Sequence, residues 1–361
     1  MLDHLAHHRR LFFVVLVVFP LQLVTAVSDA YEIQEIEDSP KVRNIQHPEW
    51  FKLSFLDLRD DLEEASVEGK QGIIVYFGHK DCAYCEAMLE INFGREVDIV
   101  QYTRKHFDVI PIDIWGSREV TDMNGSVLPE REYAVKEKTN FTPAVIFYDI
   151  EGREALRLLG YYPPYKFRAA LEYVVDGHYK KESFPDYLAR ADPPPKFDLM
   201  DLNSQDFFEK PPYALDRSHF SASRPLVVFF EQHDCHACDI LHTGPLSDAR
   251  ALEHLKNFEA VQLDMWSDTP VLTPDGQRLT ANQWAKQLGL FYAPALVFFD
   301  ERGREIIRLD SVVRLYRLQG VLDYVLSKGY LKAPTFMHWR ELRSRLNPRD
   351  AGSQGILRSD L

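Results

Sequence analysis

The sequence predicts an α/β protein in which one mixed-sheet unit occurs twice. Three observations carry this: landmarks that recur at near-constant spacing, strand-like runs alternating with helical patterns inside each copy, and one proline-rich stretch between the copies. The first landmark is an apolar run, Ile73-Ile74-Val75-Tyr76-Phe77 leading to Cys82, matched by Leu226-Val227-Val228-Phe229-Phe230 leading to Cys235. Corresponding cysteines are 153 residues apart. Ile112-Asp113-Ile114-Trp115 then matches Leu263-Asp264-Met265-Trp266, and Thr142-Pro143-Ala144 matches Ala293-Pro294-Ala295, both at an offset of 151. Ala144 to Leu158 shares eight of fifteen residues with Ala295 to Leu309, which chance does not give at constant offset.

Each copy reads in the same order. A β-branched strand runs into a Cys-x-x-Cys pair that opens a helix, and a second helix and second strand follow. Asn124-Gly125 and Asp275-Gly276 tolerate positive φ and predict a hairpin with a two-residue turn. A short helix precedes the proline, two strands then flank a glycine turn, and an amphipathic helix closes the unit. Strands and helices in this order imply a central mixed sheet flanked by helices, with an inserted hairpin.

Residues 1–26 read as an export signal: Arg9 and Arg10 precede an apolar run from Leu11 to Val24 that ends beside small residues. The run is short of the roughly 20 residues a membrane span needs, so an uncleaved anchor is the alternative reading. The boundaries that follow are an extension at 27–46, a first domain at 47–190, a linker at 191–205 containing Pro193-Pro194-Pro195, a second domain at 206–345 and a tail at 346–361. The whole stretch from Asp186 to Phe207 reads as polyproline-like rather than packed. A net charge of −13 over 361 residues argues against nucleic acid, and the basic stretch Arg340 to Arg349 reads as a solvated end.

Domains of this size bury a core without staples. All four cysteines nevertheless fall in two short pairs, Cys82 with Cys85 and Cys235 with Cys238, which leaves none for long bridges and points to chemistry. A helix N-terminus presents unpaired N–H groups and the positive end of the helix dipole, so Cys82 and Cys235 are placed to ionise and attack. Cys85 and Cys238, one turn on, are placed to resolve a mixed disulfide. The same spacing also serves zinc, so copper or zinc handling is a rival reading, with His233, Cys235, His236, Cys238 and His242 as its donors. A binding scaffold in which redox is incidental is a second rival.

The strand running into Cys-x-x-Cys at a helix start, with an x-Pro before a later strand, resembles the thioredoxin fold in both halves. The inserted hairpin and the Asp-Cys-x-Tyr-Cys context are most similar to exported thioredoxins of the SoxW-like and DsbD-terminal-domain-like kind. The resemblance implies a protein disulfide oxidoreductase whose only redox group is its cysteines, with no other cofactor. It implies that Pro143 and Pro294 are cis-prolines and that Thr142 and Ala293 offer backbone groups to an extended substrate. It further implies exported proteins with disulfides as clients, a periplasmic setting and a membrane electron donor that recharges a reductase or isomerase.

The chain departs from the thioredoxin pattern where a buried acid stands six residues before the first cysteine: it has Tyr76 and Phe229. Glu231 is a candidate proton carrier in the second copy only, against the plainer expectation of a solvated strand end. Asp81 and Asp234 oppose thiolate formation, whereas His79, Lys80, His233 and His236 favour it. Trp115 and Trp266 read as packing residues near a groove. Asn124 and Asn140 head glycosylation sequons, of consequence only in a eukaryotic secretory route.

Overall fold

The computed structural model describes residues 36–191 and 202–346. The expected signal segment 1–26, the triproline and the tail beyond 346 lie outside the described residues. Among the described residues, no helix is long and apolar enough to cross a membrane.

The first unit contains helix α1 (Leu58–Val67), strand β1 (Gly72–Gly78), helix α2 (Ala83–Ala87) continuing as a π-helical stretch to Arg95, helix α3 (Val97–His106) and strand β2 (Phe107–Asp113). The hairpin β3 (Glu119–Thr121) and β4 (Val127–Pro129), helix α4 (Glu130–Lys136), strands β5 (Ala144–Asp149) and β6 (Glu154–Leu159), and helices α5 (Pro164–Val175) and α6 (Phe184–Ala191) complete it. Every residue of β1 is buried, as a strand covered on both faces must be. It pairs parallel with β2 and antiparallel with β5, giving the order β2-β1-β5-β6.

The second unit repeats this. Strand β8 (Leu226–Glu231) sits inside the order β9-β8-β12-β13, parallel to β9 (Glu259–Asp264) and antiparallel to β12 (Ala295–Phe299), which in turn pairs antiparallel with β13 (Glu305–Leu309). Its helices include α7 (His236–Thr243), α8 (Ala249–Leu255), α9 (Ala281–Gln287), α10 (Leu315–Leu326) and α11 (Phe336–Leu346). A short β7 (Tyr213–Ala214) adds to its hairpin of β10 (Pro270–Leu272) and β11 (Arg278–Thr280). The mixed-sheet architecture therefore stands as expected in both halves.

Three local expectations are corrected. The hairpin turn is longer than two residues: the Asp122 carboxylate accepts from the N–H groups of Asn124 and Ser126, so the side chain shapes a wider loop around Gly125. The stretch after Asp186 begins as packed helix, because Tyr187 and Leu188 of α6 are buried, and Phe207 packs on Phe208 and Phe229. The described part of the basic stretch, residues 340–346, also lies in a helix, α11, in which Trp339 and Ser344 are buried. Charge counting missed this because the helix seats one apolar face while Arg343 and Arg345 pair with Asp323 and Glu341.

The two units meet around equivalent surfaces. Val312 donates its N–H to the Tyr161 carbonyl at 3.1 Å, and these positions correspond at the offset of 151. Phe336, at the start of α11, lies 5.3 Å from Phe141 of the first unit. Phe184, at the start of α6, lies 5.0 Å from Phe291 of the second. Each unit's last helix thus packs on the loop before the other's Pro143 or Pro294, an approximate two-fold arrangement. Gly160 permits the close approach: its φ is +103°, and a Cβ there would collide with the Ser311 hydroxyl.

Candidate active site

Both cysteine pairs are built the same way. After the central strand the chain turns through Asp81 or Asp234, each with positive φ (63° and 49°), which sets the next residue as a helix N-cap. Cys82 caps α2 and Cys235 caps α7 in extended conformation, and each Sγ accepts the N–H of the cysteine three residues on, at 3.1 Å. Converging N–H dipoles favour negative charge on that first sulfur over the second. Each pair is closed as a disulfide, with Cα separations of 5.2 and 5.1 Å. Cys82 and Cys235 retain 6% and 8% of their surface, whereas Cys85 and Cys238 retain 0% and 1%. The arrangement suits thiol–disulfide exchange, in which the outer sulfur meets a partner and the inner one is reached from within.

The Thr142–Pro143 and Ala293–Pro294 peptide bonds are both cis. Each proline brings its predecessor against the cysteine pair. The Thr142 hydroxyl oxygen is 3.2 Å from Cys82 Sγ, and the Ala293 carbonyl oxygen is 3.7 Å from Cys235 Sγ. The predicted cysteines and prolines are therefore assembled within each unit, as two separate constellations.

The expected charge environment is corrected in two respects. His79 is no cation: burial, reinforced by the Arg340 charge of α11, pushes its pKa down to about 4. Its ring meets Trp115, which in turn lies 5.0 Å from His338 of α11, so Trp115 packs at the contact between units. Glu231 is no solvated strand end, being 0% exposed. Its two carboxylate oxygens lie 2.9 and 3.1 Å from His242 Nε2, and Gln262 donates to one of them at 2.9 Å. The donors of the rival metal reading do not converge either, because His242 is turned to Glu231 and His233 pairs with Asp264 at 3.1 Å. Among the described residues, no group of three or more His, Cys, Asp or Glu side chains is placed to hold a metal ion.

Sequence reasoning missed the residues that reach the first pair from a distance. Asp81 accepts the Arg43 N–H at 2.7 Å, and the Arg43 guanidinium reaches Glu86 at 3.0 Å. Arg317, from the second unit, donates to the Thr142 carbonyl at 2.8 Å. No local pattern marks Asp38, Arg43 or Arg317: Arg43 and Asp38 come from the N-terminal extension, and Arg317 from the other unit.

The His79 environment sets a pH dependence. Its pKa is lower folded than unfolded, so it has no effect above about pH 6.5, and stability falls as acid protonates the unfolded chain first. With solvent screening of this half-buried ring, the loss by pH 5 is about 1–2 kcal/mol. Denaturant midpoints at pH 7 and pH 5 are expected to differ less in His79→Gln than in the parent; equal pH sensitivity in both proteins removes this account.

The chain matches the model of the thioredoxin-like domain family twice, over residues 58–175 and 219–326, together more than half its length. No curated protein matches it. Among solved structures it is similar to a thioredoxin-fold protein from Helicobacter pylori, at 23% identity over 45% of this chain and 92% of that one, with a TM-score of 0.31. It is similar also to a thioredoxin from Thermus thermophilus, at 23% identity over 33% of this chain and 84% of that one, with a TM-score of 0.27. A DsbH oxidoreductase matches at 16% identity over 37% of this chain and 94% of that one, with a TM-score of 0.26. Two such domains, each with a Cys-x-x-Cys pair at disulfide distance, support a thiol–disulfide oxidoreductase. The chain belongs to the thioredoxin-like domain family, as two copies in tandem.

Proposed function

We propose that the chain is a thiol–disulfide oxidoreductase for exported proteins, acting as a reductase or isomerase. The observation that carries this is the pair of N-capping sulfurs, Cys82 and Cys235, each next to a buried partner and a proline loop. In the reduced enzyme the outer thiolate attacks a client disulfide sulfur, forms a mixed disulfide and expels one client thiolate. The inner cysteine then gives up its proton and attacks the outer sulfur, closing the enzyme disulfide and releasing the second client thiolate. Two electrons pass to the client, and both client thiolates take up protons. Ala293 would hold the client beside Cys235 by backbone pairing, and Thr142 would do so beside Cys82 only with the Arg317 bond to its carbonyl released.

Net reduction in an oxidising compartment requires a reductant, and a dithiol carried by a membrane protein is the class that supplies it. The export reading rests on the apolar segment Leu11 to Val24 behind Arg9 and Arg10. The purified protein is expected to accelerate insulin reduction by dithiothreitol, and Cys85→Ser with Cys238→Ser is expected to accumulate mixed disulfides with exported proteins. An inactive wild type, together with no trapped client, overturns the assignment.

A further inference from the structure

The two cysteine pairs share a frame but not an environment. At the first, Arg317 of α10 lies against the site from the other unit. Its Nη2 occupies the Thr142 carbonyl at 2.8 Å, and its guanidinium sits 3.5 Å from the centroid of the Tyr84 ring, inside the Cys-x-x-Cys turn. The Tyr84 hydroxyl donates to Asp38 at 3.0 Å and accepts the Arg314 N–H at 2.9 Å. The Asp38 carboxylate also accepts the N–H groups of Tyr316 and Arg317, at 3.2 and 2.8 Å, and so caps α10, whose own N-cap side chain makes no such bond. Residues 36–43, Tyr84 and the start of α10 thereby form one latch over the first pair. Thr142, Pro143 and Tyr84 are all buried beneath it.

The equivalent positions of the second site carry different residues. Lys166 stands where Arg317 stands in the other copy, with its Nζ 5.3 Å over Tyr165, and Ala237 replaces Tyr84. Ala293 is half-buried, while Asp234 and His236 on either side of Cys235 are exposed. The residues flanking Cys82, by contrast, are half-buried.

We propose that Arg317 is a specificity-determining residue of the Cys82–Cys85 site: with the domains docked, this pair exchanges with small disulfides, and extended protein clients are taken at Cys235–Cys238. The proposal rests on the oxidoreductase reading and adds to it which site meets which class of substrate. An extended client laid beside Cys82 needs the Thr142 carbonyl as an acceptor, and must displace a charged donor that is also stacked on Tyr84. A small disulfide needs no strand pairing, only approach to the sulfur past Asp81 and Ala83.

The test isolates each site in the full chain, with Cys235→Ser/Cys238→Ser leaving the first and Cys82→Ser/Cys85→Ser leaving the second. Each protein is reduced and mixed with 5,5′-dithiobis(2-nitrobenzoate), which takes two electrons and yields two aryl thiolates, or with insulin. The first site alone is expected to match the second on the small disulfide within about threefold, and to be about tenfold or more slower on insulin. Adding Arg317→Ala is expected to raise its insulin rate by about tenfold and to leave the small-disulfide rate within about threefold. Asp38→Asn, which loosens the same latch without emptying the space beside Tyr84, is the second variant should Arg317→Ala fail to fold. Equal insulin rates at the two sites, no change in either folded latch variant, or a first site inert to the small disulfide overturns the proposal. The oxidoreductase reading fails separately, if the second site alone reduces neither substrate.

Discussion

Replacing Cys82 and Cys235 together with serine is expected to return insulin reduction to the uncatalysed dithiothreitol rate, a loss of about 100-fold or more. A serine hydroxyl does not ionise near neutral pH even among converging N–H groups, and its oxygen forms no bond that a second thiol can resolve. The inner sulfurs cannot substitute, because Cys85 and Cys238 are shut off from solvent and lie behind the first helical turn. Stability is a poor rival explanation for such a loss. Each disulfide joins residues only three apart, so it restricts little of the unfolded chain. The double variant is thus expected to keep its circular dichroism spectrum and unfold near the parent midpoint. Retained catalysis in a folded double variant would falsify the proposed roles of both outer sulfurs.

What the sequence made legible follows the range of the interaction involved. The repeat, the strand order and the cysteine helices depend on short-range periodicity and capping, and Ile73 to Phe77 and Leu226 to Phe230 reveal their strands because both faces are buried. The proline loops were found because the same x-Pro-Ala context recurs at Thr142 and Ala293, with the isomer supplied by resemblance alone. Turn length escaped because the Asp122 carboxylate, by accepting two N–H groups inside the loop, holds a turn wider than the Asn124-Gly125 dipeptide alone suggests. The latch was out of reach for another reason: Asp38 and Arg317 are 279 residues apart, and their meeting depends on how two finished domains dock. His79 was read as a cation from its neighbours in sequence, whereas Arg340, distant in sequence, helps keep it neutral. Glu231 illustrates the limit of a burial base rate. Glutamate is seldom buried unpaired, yet here a partner eleven residues later on α7 satisfies it.

That partnership yields the second large effect. His242→Leu is expected to destabilise the second domain by about 3–5 kcal/mol at neutral pH, because it strips the facing donor from a carboxylate that has no route to water. Glu231, 0% exposed, would keep only the Gln262 bond at 2.9 Å. Gln205, which contacts His242 Nδ1 at 3.3 Å, would lose its partner as well. The first domain shows how the same frame is built without this pair, for Gly78 and Leu89 occupy the two equivalent positions at the offset of the cysteines. Carrying both residues across, as Glu231→Gly with His242→Leu, removes the stranded charge and its partner together. The double variant is therefore expected to recover at least half of what the single one loses, less the cost of the space left by the glutamate. Urea unfolding followed by Trp fluorescence measures all three proteins. A single variant within about 1 kcal/mol of the parent would mean that water reaches Glu231 in solution.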